Sequence, residues 1–161
     1  MSVYVLKTQI LSPEEEKSIS FSGSNPARFF KIIPGLIKHI FKVTSSHFFE
    51  DRIKWDVGET SVQFYGMWRG EEGKDRRSRV WAQVKLQGVQ NLDKEKIGEG
   101  VILLTGFVET SFPYLTILDK TLYKTYTYLY YNNQIRYYLE EARRRFQTLE
   151  TELKREIGLI A

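Results

Sequence analysis

Cysteine is absent from the 161 residues. That excludes a disulfide framework, a thiolate metal site and a cysteine nucleophile, and it fits a reducing compartment. Histidine occurs twice, at His39 and His47, outside any H-E-x-x-H pattern, and neither a G-x-S-x-G elbow nor a P-loop is present. No uncharged apolar run approaches the roughly 18 residues needed to cross a bilayer. The opening MSVYVLKTQILSPEEE has no basic stretch leading into an apolar one, so no secretory signal is read and a soluble, cytoplasmic protein is expected. Repeats and low-complexity linkers are lacking too, and residues 1–161 are expected to form one domain.

Hydrophobic residues at 42% and charged residues at 27% are ordinary for a globular chain, which excludes a disordered or collagen-like one. The aromatic content, 10 Phe, 10 Tyr and 3 Trp, supplies large side chains for a core or a binding surface. The formal charge of +4 is too mild to imply a polyanion partner. Its distribution is more telling. Residues 61–96 hold eight basic side chains, whereas 97–112 hold neither Lys nor Arg and only Glu99 and Glu109, so the second stretch is expected to run through the interior.

Strands are predicted over 2–11 and 17–23, where β-branched residues alternate with polar ones. Ser24-Asn25-Pro26 reads as a helix start, and Phe29, Phe30, Ile33, Leu36, Ile37, Ile40 and Phe41 recur at helical spacing. Pro34-Gly35 is expected to divide this region into two short helices. Four strands follow. In 47–57, His47, Phe49, Ile53, Trp55 and Val57 are assigned to one face. Val62, Phe64 and Trp68 alternate with Gln63, Tyr65 and Met67 over 61–69. Val80, Ala82, Val84 and Leu86 alternate with Trp81, Gln83 and Lys85 over 79–89, and GEEGKDRRS between these two reads as an exposed hairpin tip. Residues 100–112 are apolar on both faces and belong in the middle of the sheet. After Pro113, Leu115, Leu118, Leu122, Tyr126 and Leu129 fit a helix, although TYTYLYY within 114–131 reads equally as a strand by alternation and aromatic content. From Ile135 onward, Ile135, Leu139, Ala142, Phe146, Leu149 and Leu153 form the seam of a long amphipathic helix. A single helix over 114–157 would be about 66 Å long, against a radius of gyration near 15 Å for a chain of this size, so a break is expected at Asn132-Asn133.

Strand, paired short helices, a run of antiparallel strands and a long final helix is an order that resembles the START-related helix-grip superfamily. The resemblance implies an α+β fold in which a curved antiparallel sheet wraps the C-terminal helix and encloses a hydrophobic cavity for a lipid or other apolar ligand. It leaves function open, because one fold serves carriers, enzymes and protein-binding members.

On that arrangement Phe49, Trp55, Phe64, Trp68 and Phe107 would line the concave sheet face, either as plain core or as a ligand-binding wall. Glu109, on the Leu103, Thr105, Phe107 face of an apolar strand, would be a ligand anchor or general base if desolvated, or else mark the strand's exposed end. The expected function is non-enzymatic binding of a hydrophobic or amphipathic small molecule, or of a protein partner, with no catalytic residue, metal or cofactor assigned. The alternative is a nucleic-acid module using Lys74, Arg76, Arg77 and Arg79 at the hairpin tip together with Arg143, Arg144 and Arg145. Glu71, Glu72, Asp75, Glu140 and Glu141 lie beside these cations and dilute their field. Arg28, Lys31, Lys38 and Lys42 mark a basic helix face that would suit an anionic membrane or an acidic partner, or remain solvated.

Overall fold

The structure is a computed structural model that describes residues 2–93 and 95–159. Six strands form one curved, open antiparallel sheet. They are β1 (Ser2–Gln9), β2 (Lys17–Ser24), β3 (Phe48–Val57), β4 (Ser61–Gly73), β5 (Ser78–Asn91) and β6 (Ile97–Tyr114). The order is β1-β6-β5-β4-β3, with β2 also paired to β6. The stretch without lysine or arginine is thus the hub of the sheet. The first half of β6 pairs with β2 and its second half with β1, so the two short strands lie end to end along one side of it.

A 3-10 turn at Pro26–Arg28 leads into α1 (Phe29–Ile40). The helix does not divide at Pro34, which lies inside it. Proline removes one backbone bond at a cost of about 3 kcal/mol, whereas Phe29, Ile33 and Ile37 are each fully buried on the same face, worth roughly 1.5–3 kcal/mol apiece. Packing outweighs the lost bond, and the boundary between helical pieces falls at Arg28 instead.

The C-terminal helical run is continuous over 41 residues: α2 (Ile117–Tyr126), a π-helical segment (Thr127–Tyr131) and α3 (Asn132–Ile157). Thr116 caps it, accepting from the Asp119 amide while the Asp119 carboxylate accepts from the Thr116 amide, and Gly158 closes it with a left-handed φ of 89°. No break occurs at Asn132-Asn133. The expectation of one rested on a round molecule, and this one is elongated. The run is about 62 Å long, and β6, with 18 residues, spans about 60 Å. Strand and helix turn back on each other at Leu115 and Thr116 and match in length.

The core lies between the sheet's concave face and the helices. Phe41 and Phe146 meet edge to face at 5.0 Å where α1 runs into α3. Phe146 seats directly on the β6 backbone at Gly106, where a Cβ would come within 2.6 Å of its ring. Phe21 sits on Gly100 in the same way. Phe30 reaches Trp55, Phe64 and Trp68 at 5.9, 5.7 and 5.5 Å between ring centroids.

The tip between β4 and β5 is only residues 74–77 long, because both strands run further than their apolar alternation does. It is docked, not free. Lys74, 10% exposed, lies 3.1 Å from Glu72 and 3.2 Å from Glu141, and Arg145 pairs with the same two carboxylates.

Candidate functional site

The aromatic residues assigned to one concave wall divide between the two faces of the sheet. Trp55, Phe64 and Trp68 are on the concave side, around Phe30. Phe49 is on the outer side because β3 carries a bulge between Glu50 and Arg52, and the additional residue reverses the facing of everything before it. Phe49 therefore pairs with Arg69, while Ile53 pairs with Gly66. Phe107 is also outward, stacked on Trp81 at 5.7 Å. Glu109 shares that face and lies 3.8 Å from Lys7. Together these side chains form a band of aromatic and cationic groups across the outer face. Arg69 lies 4.7 Å from the centres of both Phe49 and Trp81, and Lys7 lies 4.8 Å from Phe107.

The basic residues of the nucleic-acid alternative are mostly engaged within the chain. Arg77 sits over Phe112, Tyr123 and Tyr126 at 4.6, 5.5 and 5.6 Å. Arg79 pairs with Glu71, and Arg143 donates to the Ile10 carbonyl at 2.8 Å. Lys74 and Arg145 belong to the Glu72–Glu141 cluster described above. Only Arg76 and Arg144 of that set lack a side-chain partner among the described residues. On the basic face of α1, Arg28 donates to the carbonyls of Ser24 and Glu156, and Lys38 lies over the Phe48 ring.

A large concavity lies elsewhere. A twisted sheet is saddle-shaped and hollow along one diagonal of each face. On the outer face an open trough of about 1120 Å³ runs across five strands. Cross-strand register builds its floor in two rows. Lys54, Tyr65, Gln87, Val101 and Ser20 are successive neighbours from β3 through β4, β5 and β6 to β2. Asp56, Gln63, Val89, Glu99 and Ser22 form the adjoining row. Arg52 adds a cation at the β3 wall, and Ile157 and Leu159, at and beyond the end of α3, add apolar surface. The lining therefore combines two cations, two carboxylates, two amides and three hydroxyls with four aliphatic side chains, and between the rows it also reaches Gly88, Gly100 and the core residues Phe21 and Phe64, a set able to hold a polar head and an apolar body together. Arg52, Lys54, Asp56 and Glu99 form no ion pair among the described residues.

The groups with displaced proton affinities lie away from this trough. Burial alone would raise the Asp75 carboxyl. Bonds from the Tyr131 hydroxyl, the Arg77 amide, the Tyr138 hydroxyl and the Ser78 amide outweigh it and hold the group below the usual range. Burial and the same carboxylate push the Tyr131 and Tyr138 phenols upward. Glu150 is lowered by Lys154 and Lys17 against the opposing effect of burial. Among the described residues, no group of three or more His, Asp or Glu side chains is placed to hold a metal ion, and no helix is long and apolar enough to cross a membrane.

The trough residues went unrecognised in the sequence, where Ser20, Tyr65 and Val101 are far apart and only register joins them. The available signal was that Lys54, Asp56, Gln63 and Gln87 occupy positions facing away from the core.

The fold defines an α+β protein with a curved antiparallel sheet set against a long C-terminal helix. No protein-family model matches the chain, and no curated protein does. Among solved structures, a protein of unknown function from Staphylococcus aureus aligns over 87% of this chain and 97% of its own, at 9% identity and a TM-score of 0.27. A putative uncharacterised protein from Rhizobium leguminosarum aligns over 84% and 98%, at 10% identity and a TM-score of 0.16.

Proposed function

We propose that the chain is a non-enzymatic binding protein of helix-grip architecture that takes an amphipathic small molecule in the outer trough. The observation that carries this reading is the trough itself. At about 1120 Å³ it is slightly larger than the ~300–1,000 Å³ typical of ligand sites, and its four charged side chains are uncommitted. A zwitterionic or hydrogen-bonding head would lie along Lys54, Tyr65 and Gln87, with its apolar part toward Val89, Val101 and Ile157. The concave side suits this role less, because rings from α1, α3 and β2 sit directly against the strand backbones there.

Native mass spectrometry of freshly purified protein is the direct test. The expected result is a retained small molecule, and an increase in melting temperature when zwitterionic or fatty-acid-like amphiphiles are added, by mass action on the native state. Tyr65→Ala and Lys54→Glu, both at the surface, should remove the increase and leave the unliganded melt unchanged. No retained molecule and no thermal response across amphiphiles, sterols and aromatic compounds would refute the reading. A response abolished by Trp68→Ala and unaffected by the two trough variants would move the site to the concave side.

A further inference from the structure

The face of α2 directed away from the sheet is apolar and uncovered. Leu118 and Leu122 of α2, 68 and 58% exposed, are one turn apart with Tyr126 a further turn on, and Leu115, 77% exposed just before the Thr116 cap, and Leu129, 58% exposed in the π segment, extend the apolar surface at its two ends. The opposite side of the same helix is occupied. Tyr123 stacks on Phe112 at 5.0 Å, Thr127 is buried, and Tyr131 bonds to the hairpin tip. Further along the run, α1 packs beside α3, but it does not extend to α2. The segment is also a poor helix former by composition, rich in threonine and tyrosine. A helix of this kind gains from being covered.

We infer that a second copy of this chain covers it, the two molecules pairing isologously through the leucine stripe of α2 and the π segment. Charge decides in favour of this occupant. A two-fold contact sets a patch against itself, so any net charge within it is repelled by its own copy. The leucines and Tyr126 carry none themselves, and the nearest charges are of opposite sign: the Asp119 carboxylate, which accepts from the amides of Leu115 and Thr116 at the helix start, and the Arg77 guanidinium, 5.6 Å from the Tyr126 ring. Lys120 and Lys124 each follow a stripe leucine by two residues, which places them about 200° around the helix. They lie over the rings of Tyr114 and Tyr4 at 5.5 and 5.6 Å. An anionic lipid surface would need cations beside the apolar face, and here they are behind it. The exposed parts of the four leucines, Tyr126 and Tyr130 on two copies would bury on the order of 1,000 Å², the lower end for a specific interface. The pair is accordingly a dimer that dissociates on dilution. The inference is independent of the trough, which opens on another surface.

Sedimentation velocity and light scattering across a dilution series test it. The expected result is twice the mass of the chain at high concentration and a return to monomer on dilution. Leu118→Glu or Leu122→Glu should increase the dissociation constant about tenfold or more and leave the melting temperature of dilute protein unchanged. If either fails to fold, the milder Leu118→Gln/Leu122→Gln variant should show the same loss of pairing. Ile53→Glu, at the exposed β3 edge, should still dimerise. A monomer at every concentration, a dimer indifferent to the leucine variants, or a dimer broken by Ile53→Glu would each overturn the inference. Phosphatidylserine vesicles provide the remaining arm: monomeric protein that sediments with them and loses this on Leu118→Glu would assign the stripe to a lipid surface instead.

Discussion

The phenolic hydroxyl of Tyr138 donates to the Asp75 carboxylate at 2.7 Å, joining the tip of the β4–β5 hairpin to a helix 63 residues later. The Tyr131 hydroxyl donates to the same oxygen, which leaves its own oxygen free to accept from Ser78 at 2.7 Å. Ser78 in turn meets Thr110 of β6 at 2.8 Å. Thr110, Ser78, Tyr131 and Asp75 thus form a chain of hydroxyls ending on a charge, an arrangement in which each bond polarises the next. It ties three elements together at the π-helical segment, where the geometry of the long helix departs from regular α.

This network makes stability depend on acid. The native Asp75 carboxyl is held below its unfolded value, so its contribution is complete above the ordinary aspartate pKa, near 3.8, and is lost as pH falls through the lower native value. Asp75→Asn should cost about 1–2 kcal/mol at neutral pH, the carboxylate being partly in water. Its melting temperature should also fall less between about pH 5 and 3 than that of the native chain. Glu150, likewise lowered, would account for part of the acid sensitivity that remains. Parallel melting curves for the two proteins over that range would remove Asp75 from the account.

Alternation made β4 and β5 readable, because a half-buried antiparallel strand must place Val62, Phe64 and Trp68 on one side and Gln63, Tyr65 and Met67 on the other. The seam from Ile135 to Leu153 was readable for the corresponding reason at helical period. What escaped was long-range. The bulge at Glu50–Arg52 leaves the local pattern unchanged and reverses Phe49. Asn132-Asn133 reads as an interruption until Tyr131 and Tyr138 are seen to bind Asp75 on either side of it. Arg77 reads as a surface cation, but Phe112 and two tyrosines from α2 enclose it. The trough belongs to the same class, being a product of register across five strands.

The close seat of Phe146 on β6 yields a second prediction. Adding a methyl at Gly106 would place it 2.6 Å from that ring and 2.7 Å from the Trp81 carbonyl, and the latter is backbone and cannot rotate aside. Gly106→Ala should therefore destabilise the protein by about 1–3 kcal/mol, as overpacking does. Gly73→Ala, with open space around its position, should be close to neutral in the same thermal melts. Equal effects at the two sites would show that the β6 backbone yields more than the packing suggests.

The Arg77 site is a test of planarity. Its guanidinium lies over Phe112, with Tyr123 and Tyr126 close by, and a lysine there would keep the charge but lose the flat stacking surface. Arg77→Lys should cost about 0.5–1 kcal/mol, and Arg77→Ala somewhat more through lost packing. Hydrogen exchange should locate the loosening at 117–131 and the hairpin tip, and leave α1 protected. Loosening spread evenly over the molecule would mean that Arg77 acts on global stability and not as a local clasp.

Removal of 134–161 is the most severe case. Ile135, Tyr138, Leu139, Ala142, Phe146, Leu149 and Leu153 are all buried against the sheet and α1. Even at roughly 1.5 kcal/mol for each of the larger side chains, their summed burial exceeds much of the 5–15 kcal/mol net stability of an ordinary domain. The truncation would also expose Gly106 and the strand surface around it, and deprive Lys74 of Glu141. An insoluble product, or one with strand signal but no cooperative melt by circular dichroism, is expected. A truncated chain that remained monomeric and melted in a single sharp transition would show that the sheet and α1 form a sufficient core, and that the long helix is an accessory to the fold and not the element around which the sheet closes.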